Sequence, residues 1–229
     1  MQEPNDTNNK RLTPSLGLFV PSIKIIRDNL FTLFFLLVIP SLVFSAIFAF
    51  EIGFTVTPAV GSVIENVSFT PEFWAIAGAT AIYTLFTIAP LTYTYVQASK
   101  GREVSLGEAF SKGTPFLPRL IVLSFVTSIM IVLGLLLFIV PGIILLRRYY
   151  LASYYLVDQN LSISEAMNRS AAESKLYSGS IYGLFGVTIL ITLFSIIPVF
   201  GSYISNVLEL CYAPAAALRY REIQAAVEA

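Results

Sequence analysis

The chain has 229 residues, of which 56% are hydrophobic and only 12% charged, and its Lys and Arg balance its Asp and Glu to a net charge of zero. Soluble domains carry about 25% charged residues, so this composition, with a mean hydropathy of +0.76, points to lipid as the main solvent. Zero net charge excludes the broad basic field that nucleic acid requires. The lack of His and the single Cys, Cys211, exclude thiolate or imidazole metal, haem and iron–sulfur centres and an intrachain disulfide.

The polar stretch MQEPNDTNNKRLTP reads as a flexible tail over 1–14. It does not read as a cleavable signal, because the first apolar run starts only near Leu30 and is long enough to span. A membrane helix needs about 20 mostly apolar residues. The candidates, in order, are Leu30–Phe50, Phe73–Ser99, Leu120–Val140, Gly142–Val157, Ile181–Ile197 and Gly201–Leu218. Pro141-Gly142 and Pro198-Val199-Phe200-Gly201 read as tight hairpin turns, since Pro and Gly end helices. The small residues Ala75, Ala77, Gly78, Ala79 and Ala81, and Gly179, Gly183 and Gly186, favour close helix packing. Pro40, Pro90 and Pro214 fall within spans and predict kinks.

The cations lie on one side of these spans. Lys10, Arg11, Lys24 and Arg27 precede the first; Lys100, Arg102, Lys112 and Arg119 separate the second from the third. Arg169 and Lys175 separate the fourth from the fifth, and Arg219 and Arg221 follow the sixth. The opposite loops carry Glu51, Glu65 and Glu72 and no Lys or Arg. The positive-inside rule then places both termini and the basic loops in the cytoplasm.

A short repeat underlies this order. SLGEAF at Ser105–Phe110 returns as ISEAM at Ile163–Met167, and SLGLF at Ser15–Phe19 holds the same place before the first span. Ser105 with Glu108, and Ser162 with Glu165, form the S-x-x-E capping pattern. In Ser162–Lys175 the residues Ile163, Ala166 and Met167 make an apolar stripe at helical spacing, with Asn168, Arg169 and Glu173 off it. Such a helix either lies in the headgroup layer or packs on the bundle as an ordinary loop helix. The expected architecture is all-α: a polytopic membrane protein with six transmembrane helices as three hairpins, each preceded by a short amphipathic helix on the cytoplasmic face. The membrane domain covers 15–222 and a cytoplasmic tail 223–229.

From SLGEAF to FIVPGIILLRRYYLASYYLVDQNLSISEAMNRS, residues 105–170, the chain resembles the membrane domain attached to some glycerophosphodiester phosphodiesterases. It is similar also to stand-alone multi-pass bacterial membrane proteins of unknown function. The resemblance implies the membrane architecture and a bacterial plasma-membrane setting. It does not imply hydrolysis, because that family's activity belongs to a separate barrel domain of about 250 residues rich in acidic ligands and His.

Arg147 and Arg148 are the most informative residues, because an ionisable group inside a membrane helix costs a few kcal/mol. At 1.5 Å per residue Arg147 lies about 9 Å in from Pro141, and Glu209 about 12 Å in from Gly201, so Glu209 is expected to pair with Arg147 or Arg148. The alternatives are a guanidinium site for lipid phosphate and snorkelling to the outer headgroups. Tyr149, Tyr150, Tyr154 and Tyr155 crowd the same span, as interface anchors or as hydroxyl donors with Tyr150 and Tyr154 beside the Arg pair. Tyr93 and Tyr95 read as anchors, and Asp158 as a solvated helix-end charge or a partner of Arg169 or Lys175. Catalysis is not expected, since His, a reactive Cys and paired carboxylates are missing, nor is a metal or other cofactor. The expected function is a non-enzymatic plasma-membrane protein binding anionic lipid headgroups through the Arg pair. The alternatives are a small-solute or ion transporter or channel, and a structural scaffold. Membrane lipids, other membrane proteins or a second copy of the chain are the expected partners.

Overall fold

A computed structural model describes residues 12–39, 42, 54–57, 66–197 and 200–228. Lys10, Arg11, Pro40, Glu51, Glu65, Pro198-Val199 and the rest of the first predicted span lie outside the described residues. After a 3-10 turn at Ser15–Leu18 come α1 (Phe19–Asp28) and α2 (Leu30–Leu33), which runs into a π-helical turn at Phe34–Val38. Two four-residue strands, β1 (Phe54–Thr57) and β2 (Asn66–Phe69), pair antiparallel from Phe54–Phe69 to Thr57–Asn66. The architecture is otherwise helical, as expected; the β-branched and aromatic residues of FTVT and NVSF suit this one short ladder. Then follow α3 (Pro71–Ser99), α4 (Leu106–Gly113), α5 (Leu117–Leu137), α6 (Ile139–Tyr149), α7 (Ala152–Asp158), α8 (Ile163–Leu176), α9 (Ser178–Leu193), α10 (Gly201–Tyr212) and α11 (Ala215–Val227). Helix α11 carries through the stretch expected as a tail, with Ile223 and Gln224 buried.

Three helical runs among the described residues are long and apolar enough to cross a membrane: Pro71–Ser99, Leu106–Leu137 and Ser178–Ile196. The fourth and sixth predicted spans are each two helices in series. Between α10 and α11 the cause is Pro214, which offers no N–H and crowds the carbonyl four residues back. Between α6 and α7 there is no Pro. There the Arg148 carbonyl accepts a hydrogen bond from the Ser170 hydroxyl at 2.8 Å, which satisfies it at the break. Pro90, by contrast, is carried inside the continuous α3.

The hairpin between α5 and α6 turns at Phe138, which alone is extended (φ −160°, ψ 147°). The turn is therefore not at Pro141-Gly142. Pro141 sits in the first turn of α6, where a missing N–H leaves no bond unmade. Gly142 serves close approach: a Cβ there would stand 2.4 Å from the Leu135 side chain and 2.8 Å from its backbone nitrogen. Nothing lies within 4 Å of a Cβ at Gly78, Gly179 or Gly186, and Ala75, Ala79 and Ala81 are exposed. Among the described residues nothing packs closely on Gly78, and Ala77 alone of these alanines is half-buried.

Burial along α3 is one-sided. Every buried residue of α3 falls from Thr87 onward. Ala89, Tyr93 and Val96 join Leu120, Leu123, Leu151, Tyr155, Leu156, Ile181, Tyr220 and Ile223 in one core. Tyr93 and Tyr95, expected as anchors, are both buried, Tyr95 in a second cluster with Ile25, Leu33 and Ala217. At the other end Leu135, Leu136, Leu137, Phe138, Ile139, Val140, Ile196 and Phe200 are exposed, an apolar surface that hydrocarbon tolerates and water does not. The aromatic rings of Phe69, Phe73 and Trp74 cluster near the start of α3, 4.5–5.8 Å between centroids. Replacing Gly142 with Val should force α5 and α6 apart and cost roughly 1–3 kcal/mol. Gly78→Ala, facing open space, should be neutral or slightly stabilising. Thermal unfolding in a mild detergent reads the difference, and equal melting temperatures would remove the close-approach account.

Candidate functional site

The exposed side of α6 is a hydrocarbon stripe of Ile139, Val140, Ile143, Ile144 and Leu146. Arg148 extends it as an exposed cation, while Arg147 is half-buried. The Arg147 guanidinium carbon lies 5.5 Å from the Tyr182 ring centroid on α9, a cation–π contact. Its Nε is buried without a hydrogen-bond partner. Arg148 lies 5.7 Å from the Tyr149 ring. Among the described residues neither Arg forms an ion pair.

The expected pairing with Glu209 is therefore not made. Its carboxylate accepts instead from the Thr192 hydroxyl at 3.0 Å. Helix α9 explains why. Arg147 meets α9 at Tyr182 and Glu209 meets it at Thr192, ten positions later, which is about 15 Å along a helix. Equal distances from the two turns do not give equal depth, because the two hairpins are offset along α9.

A cavity of about 200 Å³ lies beside α9, lined by Tyr150, Leu184, Thr188, Ile191, Glu209, Tyr212, Ala213, Ala215 and Ala216. The Tyr150 ring meets Phe185 edge-on at 4.8 Å. Tyr154 faces elsewhere, stacked on Tyr220 at 5.9 Å. Of the residues proposed from sequence, the cavity joins Tyr150 and Glu209 and leaves Arg147, Arg148 and Tyr154 outside.

The densest polar constellation was not anticipated. Glu173 of α8, which lies off the apolar stripe read from the sequence, is buried. Its carboxylate accepts from Arg169 Nε at 3.1 Å, from Gln224 Nε2 at 3.0 Å and from the Tyr155 hydroxyl. Gln224 also donates to the Tyr155 oxygen at 2.9 Å and accepts from Gln159 at 2.8 Å, and Arg169 Nη1 reaches Gln159 at 2.7 Å. One carboxylate thus joins α7, α8 and α11. The buried face of α8 is Ala166, Ser170, Glu173 and Ser174, a spacing of four, three and one that a scan for apolar stripes passes over. Helix α8 packs on α6 and α7, as the loop-helix reading has it.

Asp158 is likewise not solvated: it binds Lys100 and accepts from Tyr220 at 2.8 Å, not from Arg169 or Lys175. The full capping box forms at Ser162 and Glu165, and the Ser162 hydroxyl and backbone N–H hold the Glu165 carboxyl below the usual carboxylate range. At Ser105 only half forms, because the Glu108 side chain turns to Lys112 at 2.9 Å. Arg219, fully buried, donates to Glu222 at 2.8 Å and to the Thr13 carbonyl at 2.7 Å. Tyr212 donates to the Ser15 carbonyl at 2.8 Å, so the segment before α1 is held against α10 and α11.

The chain belongs to UPF0259, an uncharacterised protein family whose model matches residues 51–210. Proteins of Yersinia pestis (strain Pestoides F) and Yersinia pseudotuberculosis (serotype O:1b, strain IP 31758), each named a UPF0259 membrane protein, are 33% identical over 121 residues. That stretch is 53% of this chain and 45% of each relative, so the chain spans about half the length of the curated relatives it matches. No solved structure matches it. A membrane protein fits both the relatives' names and the three apolar helical runs. These matches bear out the likeness to uncharacterised membrane proteins and carry no link to glycerophosphodiester phosphodiesterases.

Glu173→Ala should leave the Tyr155 hydroxyl, the Gln224 amide and part of Arg169 without their acceptor, at roughly 1–3 kcal/mol for each fully buried group left unmet. Glu173→Gln, which keeps an acceptor oxygen, should lose less. A thermal melt that ranks the two variants equal to wild type would show that the carboxylate does not hold α8 in place.

Proposed function

We propose that this UPF0259 chain is a six-pass protein of the bacterial plasma membrane, with both termini in the cytoplasm, that binds anionic phospholipid headgroups through Arg147 and Arg148 and catalyses no reaction. The observation that carries the reading is the Arg pair itself. Two guanidinium groups follow a hydrocarbon stripe on α6 and have no carboxylate within ion-pair distance among the described residues. A cation held among apolar side chains is costly unless a counter-charge meets it. In a bilayer the nearest counter-charge is the lipid phosphate, whose geometry the guanidinium fork matches. Arg147 is oriented by Tyr182, with its Nε buried and unpartnered; Arg148 is exposed.

Six passes follow if α6–α7 and α10–α11 each cross as interrupted helices and α2 continues the first crossing. Interruption is tolerated where neighbouring side chains satisfy the freed backbone groups, as Ser170 does for Arg148. The charge asymmetry of the loops orients the bundle. The contact of Thr13 and Ser15 with α11 suits termini on one face.

The test is native mass spectrometry of the wild type and of R147Q/R148Q, purified in mild detergent and incubated with phosphatidylglycerol or phosphatidylcholine. The wild type should retain phosphatidylglycerol, and loss of two charge-assisted contacts at about 1.5–3 kcal/mol each should reduce retention at least tenfold. Raising the salt should weaken the wild-type complex. Equal retention of both lipids, or no loss in the double variant, would leave the Arg pair without this role.

A further inference from the structure

Glu209 raises a separate question. It is exposed on α10, in a stretch whose other exposed residues include Tyr203, Ile204 and Val207. Among the described residues no Lys or Arg pairs with it. Its one hydrogen bond is shared, because the Thr192 hydroxyl that reaches it at 3.0 Å lies equally close, 3.0 Å, to the Thr188 carbonyl. A hydroxyl carries one proton, so it cannot serve both acceptors fully. The carboxylate therefore keeps most of its acceptor capacity unused, at the edge of a ready-made cavity.

The walls of that cavity say what would use it. Leu184 and Ile191 are apolar and buried, Tyr150 and Tyr212 present aromatic rings, and Thr188 and Glu209, both exposed, mark the open side. Tyr150 has no hydrogen-bond partner among the described residues. Aromatic faces attract cations, a carboxylate binds an ammonium through charge-assisted hydrogen bonds, and an apolar wall takes a hydrocarbon tail. A phosphate would be repelled by Glu209, so the site is distinct from the Arg pair. A divalent ion, which takes six or more oxygens, would find one carboxylate too few. The cavity volume of about 200 Å³ exceeds the roughly 150 Å³ that holds a benzene ring in an engineered apolar cavity.

We propose that the cavity between Tyr150, Thr188, Glu209 and Tyr212 is a binding site for a membrane-partitioned organic ammonium: a cationic amine head on Glu209 and an apolar tail along Leu184 and Ile191. The assignment goes beyond the Arg–phosphate reading and does not depend on it.

The experiment uses the full chain in neutral detergent at pH 7.5, with n-octylammonium, n-octanol and n-octyl phosphate as probes of one tail length and different head charge. At ten times its Kd, n-octylammonium should raise the melting temperature of the wild type by about 3–5 °C. Octanol should do less, and octyl phosphate should give no rise in R147Q/R148Q, which lacks the Arg pair that could bind its phosphate. E209Q should lose the difference between ammonium and alcohol while keeping the response to alcohol, and R147Q/R148Q should keep both. Equal shifts for ammonium and alcohol on the wild type would overturn the proposal whether or not E209Q folds, and so would an ammonium preference that survives in E209Q. Loss of the preference in R147Q/R148Q alone would move the amine site to α6 and overturn it as well.

Discussion

The carboxylate of Glu173 is the point on which the arrangement of the other helices turns. Taking a carboxylate out of water costs several kcal/mol unless its lone pairs are met. Here they are met by Tyr155 from α7, Arg169 from its own helix and Gln224 from α11. That demand fixes α8 against the bundle. With α8 docked, Ser170 reaches the Arg148 carbonyl, α6 ends, and α7 restarts after Leu151. The restart carries Tyr155 and Asp158 into contact with α11, where Tyr220 and Gln224 receive them. The break in the fourth span is thus matched by the helix that follows it, whose Ser170 hydroxyl meets the Arg148 carbonyl.

The same logic explains where the partnered polar groups lie. Polar groups that need partners are gathered where the core is: Asp158 with Lys100, Arg219 with Thr13 and Glu222, Thr32 with the Val104 carbonyl at 2.7 Å. At the far end α5 and α6 meet through Gly134 and Gly142 and otherwise show hydrocarbon outward. In a bilayer that end needs no core, because lipid tails are as apolar as the side chains they touch. Specific hydrogen bonds organise one end and simple apolar contact suffices at the other.

What could be read from the sequence divides along the same line. The α3, α5 and α9 helices announce themselves by length and hydropathy, and the cap at Ser162 by its S-x-x-E spacing, since these signals are local. The turn at Phe138 was misplaced by three residues because Pro reads as a breaker, although it fits a first helical turn. Glu173, Gln224 and Tyr155 are 18 to 69 positions apart in pairs, and no local pattern joins them. Asp158 found Lys100, 58 positions back, for the same reason. The pairing of Glu209 with the Arg residues failed on register: depth counted from a turn holds only if the turns lie at one level, and nothing in the residues fixes that.

The offset has an energetic meaning. Over a gap of about 15 Å, at an effective dielectric constant near 20, two unit charges attract by only about 1 kcal/mol. That is less than an ionisable group costs inside a membrane helix. The Arg pair and Glu209 therefore cannot neutralise one another where they stand. A chain that merely needed to hold charge in its spans would lose least by bringing them together, or by replacing both with apolar residues. Kept apart, neither meets a counter-charge among the described residues. Arg148 is exposed and Arg147 half-buried, and Glu209 borders a cavity with aromatic walls. Charges of opposite sign left unpaired at two levels of α9 are a cost to folding, and that cost is the physical reason to look for a ligand at each.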